Sequence, residues 1–147
     1  MLFRSRDHQR IVHVPVQAQA GYPGKGMDPV FVQQLPVYDL PIPRLQFDQT
    51  VRSYEVEGES MEPLLFKGDI VLAAYLHQVQ WEKSLKDGPV YVIVTHRDVL
   101  VKRLTNRIRE ERKVILHSDN PSFPSVAMEV ADIREIWQVK EIGRAHV

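Results

Sequence analysis

Tyr54-Glu55-Val56-Glu57-Gly58-Glu59-Ser60-Met61-Glu62-Pro63 holds the decisive bend of this chain, and Gly68-Asp69-Ile70-Val71 follows it. Tyr54 and Val56 are spaced as one face of a strand, Gly58 punctuates the run, and Pro63 marks a tight turn. A second strand follows directly at Ile70–Leu76, an apolar stretch with β-branched and aromatic residues. Ser60 is thus predicted on a bend between two strands, where backbone N–H groups can face a developing oxyanion.

Forty-two residues on, Lys102 interrupts Val99-Leu100-Val101-Lys102-Arg103-Leu104, which reads as another strand. Ordinary strand and loop lengths leave room for about three strands between the two residues. The chemistry explains why such a pair matters. A serine hydroxyl is a poor nucleophile at neutral pH, and a lysine near pKa ~10.4 is no base there. Desolvation disfavours the ammonium and lowers a lysine pKa by up to ~3–5 units. The apolar neighbours of Lys102 provide that setting, and a neutral lysine takes the proton of a serine that attacks a carbonyl. Taken alone, Lys102 reads as an edge-strand lysine pointing into water.

Outward from these segments, strand signals dominate. Ile11–Val16 alternates and is broken by Pro15; Val51–Glu57, Ile70–Leu76, Val90–Thr95, Val99–Leu104, Lys113–His117 and Ile133–Lys140 also read as strands. Asp28 is placed to cap a short helix through Gln34, with Pro29 at its first position. Leu35–Pro43 holds three prolines and reads as an extended loop. Asp87-Gly88, His96-Arg97-Asp98 and Asn106–Arg112 read as turns. The prediction is a mostly β fold, a compact antiparallel domain of about six or seven strands with one or two short helical turns.

Composition bounds the function. At 147 residues the chain has the size of one domain. Nineteen basic residues balance nineteen acidic ones, so bulk charge predicts neither nucleic-acid nor membrane binding. Without cysteine there are no disulfides, thiol nucleophiles or cysteine metal sites, which fits a reducing cytoplasm. The six histidines show no paired ligand spacing, so neither metal nor cofactor is expected. No apolar run approaches the ~20 residues of a membrane span, so no membrane association is expected.

Four segments in order resemble a family. Gly58-Glu59-Ser60-Met61-Glu62-Pro63 with Gly68-Asp69-Ile70-Val71 resembles the nucleophile segment of LexA/UmuD-type serine autopeptidases. Val101-Lys102-Arg103-Leu104 resembles their general-base strand, and His117-Ser118-Asp119-Asn120-Pro121-Ser122-Phe123 the turn that follows. The likeness runs from about Ile11 to Lys140 and reverses the solvent-facing reading of Lys102. Membrane-bound signal peptidases share the Ser-Met-x-Pro and lysine pattern but carry hydrophobic anchors.

The resemblance implies Ser60 as nucleophile, Lys102 as general base and backbone N–H groups near Ser60 as oxyanion hole. Gly58, Met61, Pro63, Gly68 and Asp69 support them, with Met61 packed beneath the dyad and Asp69 holding the backbone behind Ser60. It also implies a scissile Ala-Gly bond, for which Ala20-Gly21 in VPVQAQAGYPGKG is the candidate. Alanine fits a shallow pocket, and glycine lets the backbone approach the serine. Gly21, Pro23, Gly24 and Gly26 read as a mobile loop able to fold back into its own active site; the alternative is a plain glycine-rich linker. Further implications are a cytoplasmic homodimer, an upstream helix-turn-helix domain as the only route to DNA, and RecA filaments as trigger. A UmuD-like accessory of a lesion-bypass polymerase, a phage-type repressor, or a dimerisation and sensing module with an idle dyad are the alternatives.

Other features read more plainly. His117, Ser118 and Asp119 are adjacent and cannot form a catalytic triad, so a turn before Asn120-Pro121 is expected. Glu57 and Glu59 read as a solvated face, and Trp81 and Trp137 as core or dimer-contact residues. Residues 1–5 (MLFRS) and 141–147 (EIGRAHV) match what inward-facing sequencing-library adapters would encode, and are set aside as non-native scars. The expected division is then 6–50 for strand, cleavage loop and linker, and 51–140 for the peptidase core.

Overall fold

β5 (Tyr91–Thr95) is buried along its whole length, and it shows how the sheet is built. Its side chains alternate between two apolar clusters, Val92 and Val94 in one, Tyr91 and Ile93 in the other. A strand covered on both faces reads as an unbroken apolar run, as this one does. The computed structural model describes residues 9–40 and 50–144. The set-aside residues 1–5 and 145–147, and Pro41 and Pro43 of the expected loop, lie outside the described residues.

Among the described residues, nine strands form one sheet in the order β2-β1-β3-β4-β9-β5-β6-β7-β8. They are β1 (Gln9–Val14), β2 (Val37–Leu40), β3 (Val51–Glu55), β4 (Ile70–Leu76), β5, β6 (Val99–Arg107), β7 (Lys113–His117), β8 (Val126–Glu129) and β9 (Ile133–Gly143). All neighbours are antiparallel except β1 and β3, which run parallel. Among the described residues the strands are joined by four short α-helices, α1 (Val16–Gln19), α2 (Pro29–Gln33), α3 (Trp81–Ser84) and α4 (Ile108–Glu111), and by 3-10 turns at Gln78–Gln80 and Val130–Asp132. The mostly β class is as expected, and Asp28 caps α2 through its carboxylate, 3.0 Å from the Val30 N–H.

Three expectations need correction. Leu35–Pro43 is not all loop, because Val37–Leu40 pairs with β1 as an edge strand. Pro36 lends only its carbonyl, accepting the His13 N–H at 2.9 Å, so its missing donor costs nothing there. β8, the other edge, was not anticipated because its mostly exposed residues lack an apolar alternation. Asn106–Arg112 is not a simple turn: β6 runs on to Arg107 and α4 follows, ended by Arg112 at φ 58°. Among the described residues the strands therefore number nine, where six or seven were expected.

Residues 141–143 of the set-aside segment pair with 70–72 at the end of β4. Ladder pairing uses backbone groups, which any sequence of suitable conformation supplies. Trp81 and Trp137 are both buried core residues. At ~25 cal/mol per Å² and about 150–250 Å² of aromatic surface, each contributes roughly 4–6 kcal/mol as an upper bound.

Candidate active site

The bend at Ser60 is held from both sides. The Val56 N–H reaches the Asp69 carbonyl at 2.7 Å and the Gly68 N–H the Val56 carbonyl at 2.9 Å, extending the β3–β4 pairing past the strand ends. Gly58 at φ 83° then turns the chain, a conformation open to glycine. Beyond Ser60, the Glu62 N–H meets the Glu59 carbonyl at 3.2 Å and the Leu65 N–H the Met61 carbonyl at 2.9 Å. The Asp69 carboxylate caps this turn, accepting the Phe66 N–H at 2.8 Å and pairing with Arg144 at 3.1 Å. Met61 is buried in the core cluster that also holds Val56 and Tyr54. Among the described residues, neither the Ser60 nor the Met61 N–H has a hydrogen-bond partner.

Lys102 stands where β6 changes partners. It is the last residue of β6 paired with β5, opposite Tyr91, and Arg103 is the first paired with β7, opposite His117. Continuing that register by one residue sets Ser118 across from Lys102, and Nζ donates to the Ser118 Oγ at 2.8 Å. Burial pushes the Lys102 ammonium below its usual pKa. Its partly buried position is closed further by the Phe123 ring, whose centroid lies 5.9 Å from Nζ.

Ser60 and Lys102 line the same two cavities. The larger is a cleft of about 820 Å³, rimmed by Glu55, Glu57, Glu59 and Lys67 as well as Phe123, a volume typical of ligand sites at ~300–1,000 Å³. The smaller, about 60 Å³, adds Met61 and Val99–Val101 to its walls. No hydrogen bond joins Ser60 to Lys102 among the described residues; the ammonium is engaged with Ser118 instead.

The chain around Ala20-Gly21 lies against this cleft, but the bond itself does not enter it. Val16 and Gln17 line the larger cavity and Gln19 the smaller. Gln19 is buried, with Nε2 donating to the Glu55 carbonyl at 2.7 Å and the Val14 carbonyl at 3.4 Å, while the Val16 N–H donates to Glu55 Oε1 at 2.9 Å. Residues 16–19 form the helical turn α1, and Ala20 and Gly21 are exposed just beyond it.

One residue further the chain is pinned again. The Tyr22 hydroxyl accepts from Arg52 Nη1 at 2.7 Å and donates to Glu135 Oε1 at 2.8 Å. Arg52 also donates to the Gly26 carbonyl at 2.7 Å and lies 5.0 Å from the Trp137 ring centroid, and Trp137 Nε1 donates to Glu135 Oε1 at 2.9 Å. Burial, then the Glu135 carboxylate, pushes the Tyr22 phenol well above its usual pKa. An added Cβ at Gly26 would meet the Glu135 carboxylate and the Tyr22 ring, so only glycine fits. The expected free loop is thus folded onto the core at Tyr22 and Gly26, and no pattern in the sequence pointed to Arg52 or Glu135.

The end of β7 and the turn after it carry His117, Ser118 and Asp119. His117 bonds Thr105 and Ser125, Ser118 accepts from Lys102, and Asp119 takes both Arg103 nitrogens at 2.7 and 3.1 Å. The three neighbours thus face separate partners and do not bond one another as a triad would. Ser118 was visible only as a turn residue; the register of β6 and β7 is what delivers it to Lys102.

Among the described residues no group of acidic or histidine side chains has metal-binding geometry, and no helix is long and apolar enough to cross a membrane. The β sheet thus brings a bend serine and a desolvated lysine to one cleft, the pairing that serine–lysine peptide chemistry requires. The Peptidase S24-like family model matches residues 12–144, and the chain belongs to this family of LexA/UmuD-like self-cleaving serine peptidases. No curated protein matches the chain.

Proposed function

We propose that this chain is the self-cleaving peptidase and dimerisation domain of a LexA-like transcriptional repressor, and that it hydrolyses its own Ala20-Gly21 bond. The observation that carries the reading is the shared cleft of Ser60 and Lys102, with the 16–19 segment already forming part of its wall. In the reaction, neutral Lys102 takes the Ser60 proton as Oγ attacks the Ala20 carbonyl. Backbone N–H groups at the bend, Ser60 first among them, receive the oxyanion. Lys102 returns the proton to the departing Gly21 amine, leaving Ala20 esterified to Ser60. Water, deprotonated by Lys102, then releases the acid and restores the serine.

The resting geometry falls short of attack, so one rearrangement must precede it. α1 unwinds, Gln19 leaves its two carbonyls, and the segment enters the cleft with its scissile carbonyl against Ser60. Expelling water from the cleft completes the desolvation that keeps Lys102 neutral. Cutting at this bond would part an upstream DNA-binding domain from the dimerising core and weaken operator binding through lost bivalency. RecA filaments on single-stranded DNA are the trigger that the family resemblance implies, and a UmuD-like polymerase accessory is the alternative within the same chemistry.

The Lys102–Ser118 bond favours one reading of a different class, a dimerisation or sensing module whose dyad stays idle. Incubating the purified chain at alkaline pH separates the two. Self-cleavage yields two fragments, the larger beginning at Gly21, and Ser60→Ala yields none. An intact wild-type chain under those conditions supports the idle module.

A further inference from the structure

The nucleophile and the base are carried by segments far apart in sequence, and one short turn touches both. Asn120 is its key residue on the Ser60 side. The Asn120 N–H donates to the Ser60 carbonyl at 2.9 Å, and Asn120 Nδ2 donates to the Glu59 carbonyl at 3.0 Å. Each carbonyl belongs to a rigid, planar peptide unit. The Glu59 carbonyl and the Ser60 N–H share one unit; the Ser60 carbonyl and the Met61 N–H share the next. Holding both units fixes φ and ψ of Ser60. It therefore sets where Cβ and Oγ project and where the Ser60 N–H points.

The same turn is tied to the strand of the base. Asp119 is held in a fork by Arg103, the residue after Lys102, at 2.7 and 3.1 Å. The Asp119 N–H also rests on the Met61 sulfur at 3.4 Å, and Arg103 Nη1 donates to the Gly88 carbonyl. Asn120 itself is braced, since its Oδ1 accepts the Ser122 N–H at 3.0 Å and its carbonyl the Phe123 N–H at 3.0 Å. A planar fork to a carboxylate adds orientation as well as attraction.

We propose that Asn120 is a positioning residue for the nucleophile: its two donors lock the peptide planes on either side of Ser60, and the Asp119–Arg103 fork registers that lock against the strand carrying Lys102. The proposal rests on the peptidase reading for its catalytic consequence, but the bend geometry is measurable without it. Misplacing a reacting group by about 1 Å costs on the order of 10²-fold in rate.

Two variants divide the possible roles of the side chain. Asn120→Ala removes both side-chain bonds. Asn120→Ser keeps a short oxygen able to accept the Ser122 N–H and shape the turn, but has no amide to reach Glu59. Three readouts are taken on the whole chain: self-cleavage rate against pH, labelling of Ser60 by a fluorophosphonate probe, and the amide NMR signals of Ser60 and Met61. Both variants are expected to keep the melting temperature near wild type and to lower cleavage plateau and labelling by roughly 10–100-fold. The pH of half-maximal rate should stay in place, because Lys102 keeps its surroundings, and the Ser60 and Met61 signals should move.

Full recovery in Asn120→Ser would reduce Asn120 to a turn former and overturn the proposal. So would wild-type plateau and labelling in Asn120→Ala, or a loss that tracks a falling melting temperature in both variants. If the wild-type chain neither cuts nor labels, the peptidase reading fails by itself. The NMR signals then decide the Asn120 lock: unmoved signals in Asn120→Ala overturn it, and moved signals sustain it.

Discussion

Lys102 Nζ donates to Ser118 Oγ at 2.8 Å, so at rest the proposed base is held by a second serine and not by Ser60. An acceptor on the ammonium favours the charged form, against the desolvation that lowers the Lys102 pKa. Ser118→Ala removes that acceptor. The midpoint of the self-cleavage pH profile should move to lower pH, while the plateau falls because Lys102 loses its orientation. Rates across the neutral to alkaline range check this; an unmoved midpoint would show that the contact does not govern the lysine.

Ser60→Ala and Lys102→Ala should each abolish self-cleavage while the fold survives, since neither side chain fills the buried core. The double variant should be no slower than either single one, because the two groups act as a unit. Circular dichroism and a gel time course suffice. Cutting at the wild-type rate in Lys102→Ala would mean that another base is at work.

Burial lowers the Lys102 pKa, and in the proposed reaction the neutral form is the reactive one. The neutral fraction grows as pH rises toward that pKa and saturates above it. Self-cleavage should accelerate by up to about tenfold per pH unit below the pKa and level off beyond it. The rate constant should not change with protein concentration if each chain cuts itself. A flat profile up to about pH 10 would instead make segment docking the limiting step.

At Gly21 an added Cβ meets nothing within 4 Å in the resting fold. Gly21→Glu should therefore fold normally yet resist cleavage, because the side chain obstructs the approach of Ser60 to the bond. Mass spectrometry of wild-type fragments should place the new N-terminus at Gly21. A different N-terminus would move the scissile bond and leave the dyad assignment intact.

Gly26 offers the opposite case. A methyl there meets the Glu135 carboxylate and the Tyr22 ring, so Gly26→Ala should cost about 1–3 kcal/mol by overpacking. Thermal melting of the Ser60→Ala background measures this without interference from cleavage. An unchanged melting temperature would show that the Tyr22–Arg52–Glu135 anchor yields readily.

Much of the sheet was legible because its signals are local. Ile70–Leu76 and Lys113–His117 match β4 and β7 end to end, since β-branched runs bounded by turn residues need no distant partner to be recognised. The cap of α2 was legible for the same reason, as an Asp-Pro pair states its own geometry. The two edge strands were not. β2 sits among prolines and β8 is largely exposed, and each becomes a strand only because a neighbour offers unpaired backbone groups.

The residue types of the site, a serine on a glycine bend and a lysine in an apolar run, were determined by the sequence alone, because desolvation and turn chemistry act within a few residues. Tertiary structure decided how those groups meet. The handover of β6 from β5 to β7 sets Ser118 against Lys102. A turn 60 residues beyond Ser60 supplies Asn120 to the Ser60 carbonyl. Arg52 and Glu135, from two separate strands, converge on Tyr22 beside the candidate scissile bond. Each contact joins residues between 16 and 113 positions apart, and sheet register, not local composition, brings such residues within hydrogen-bond reach.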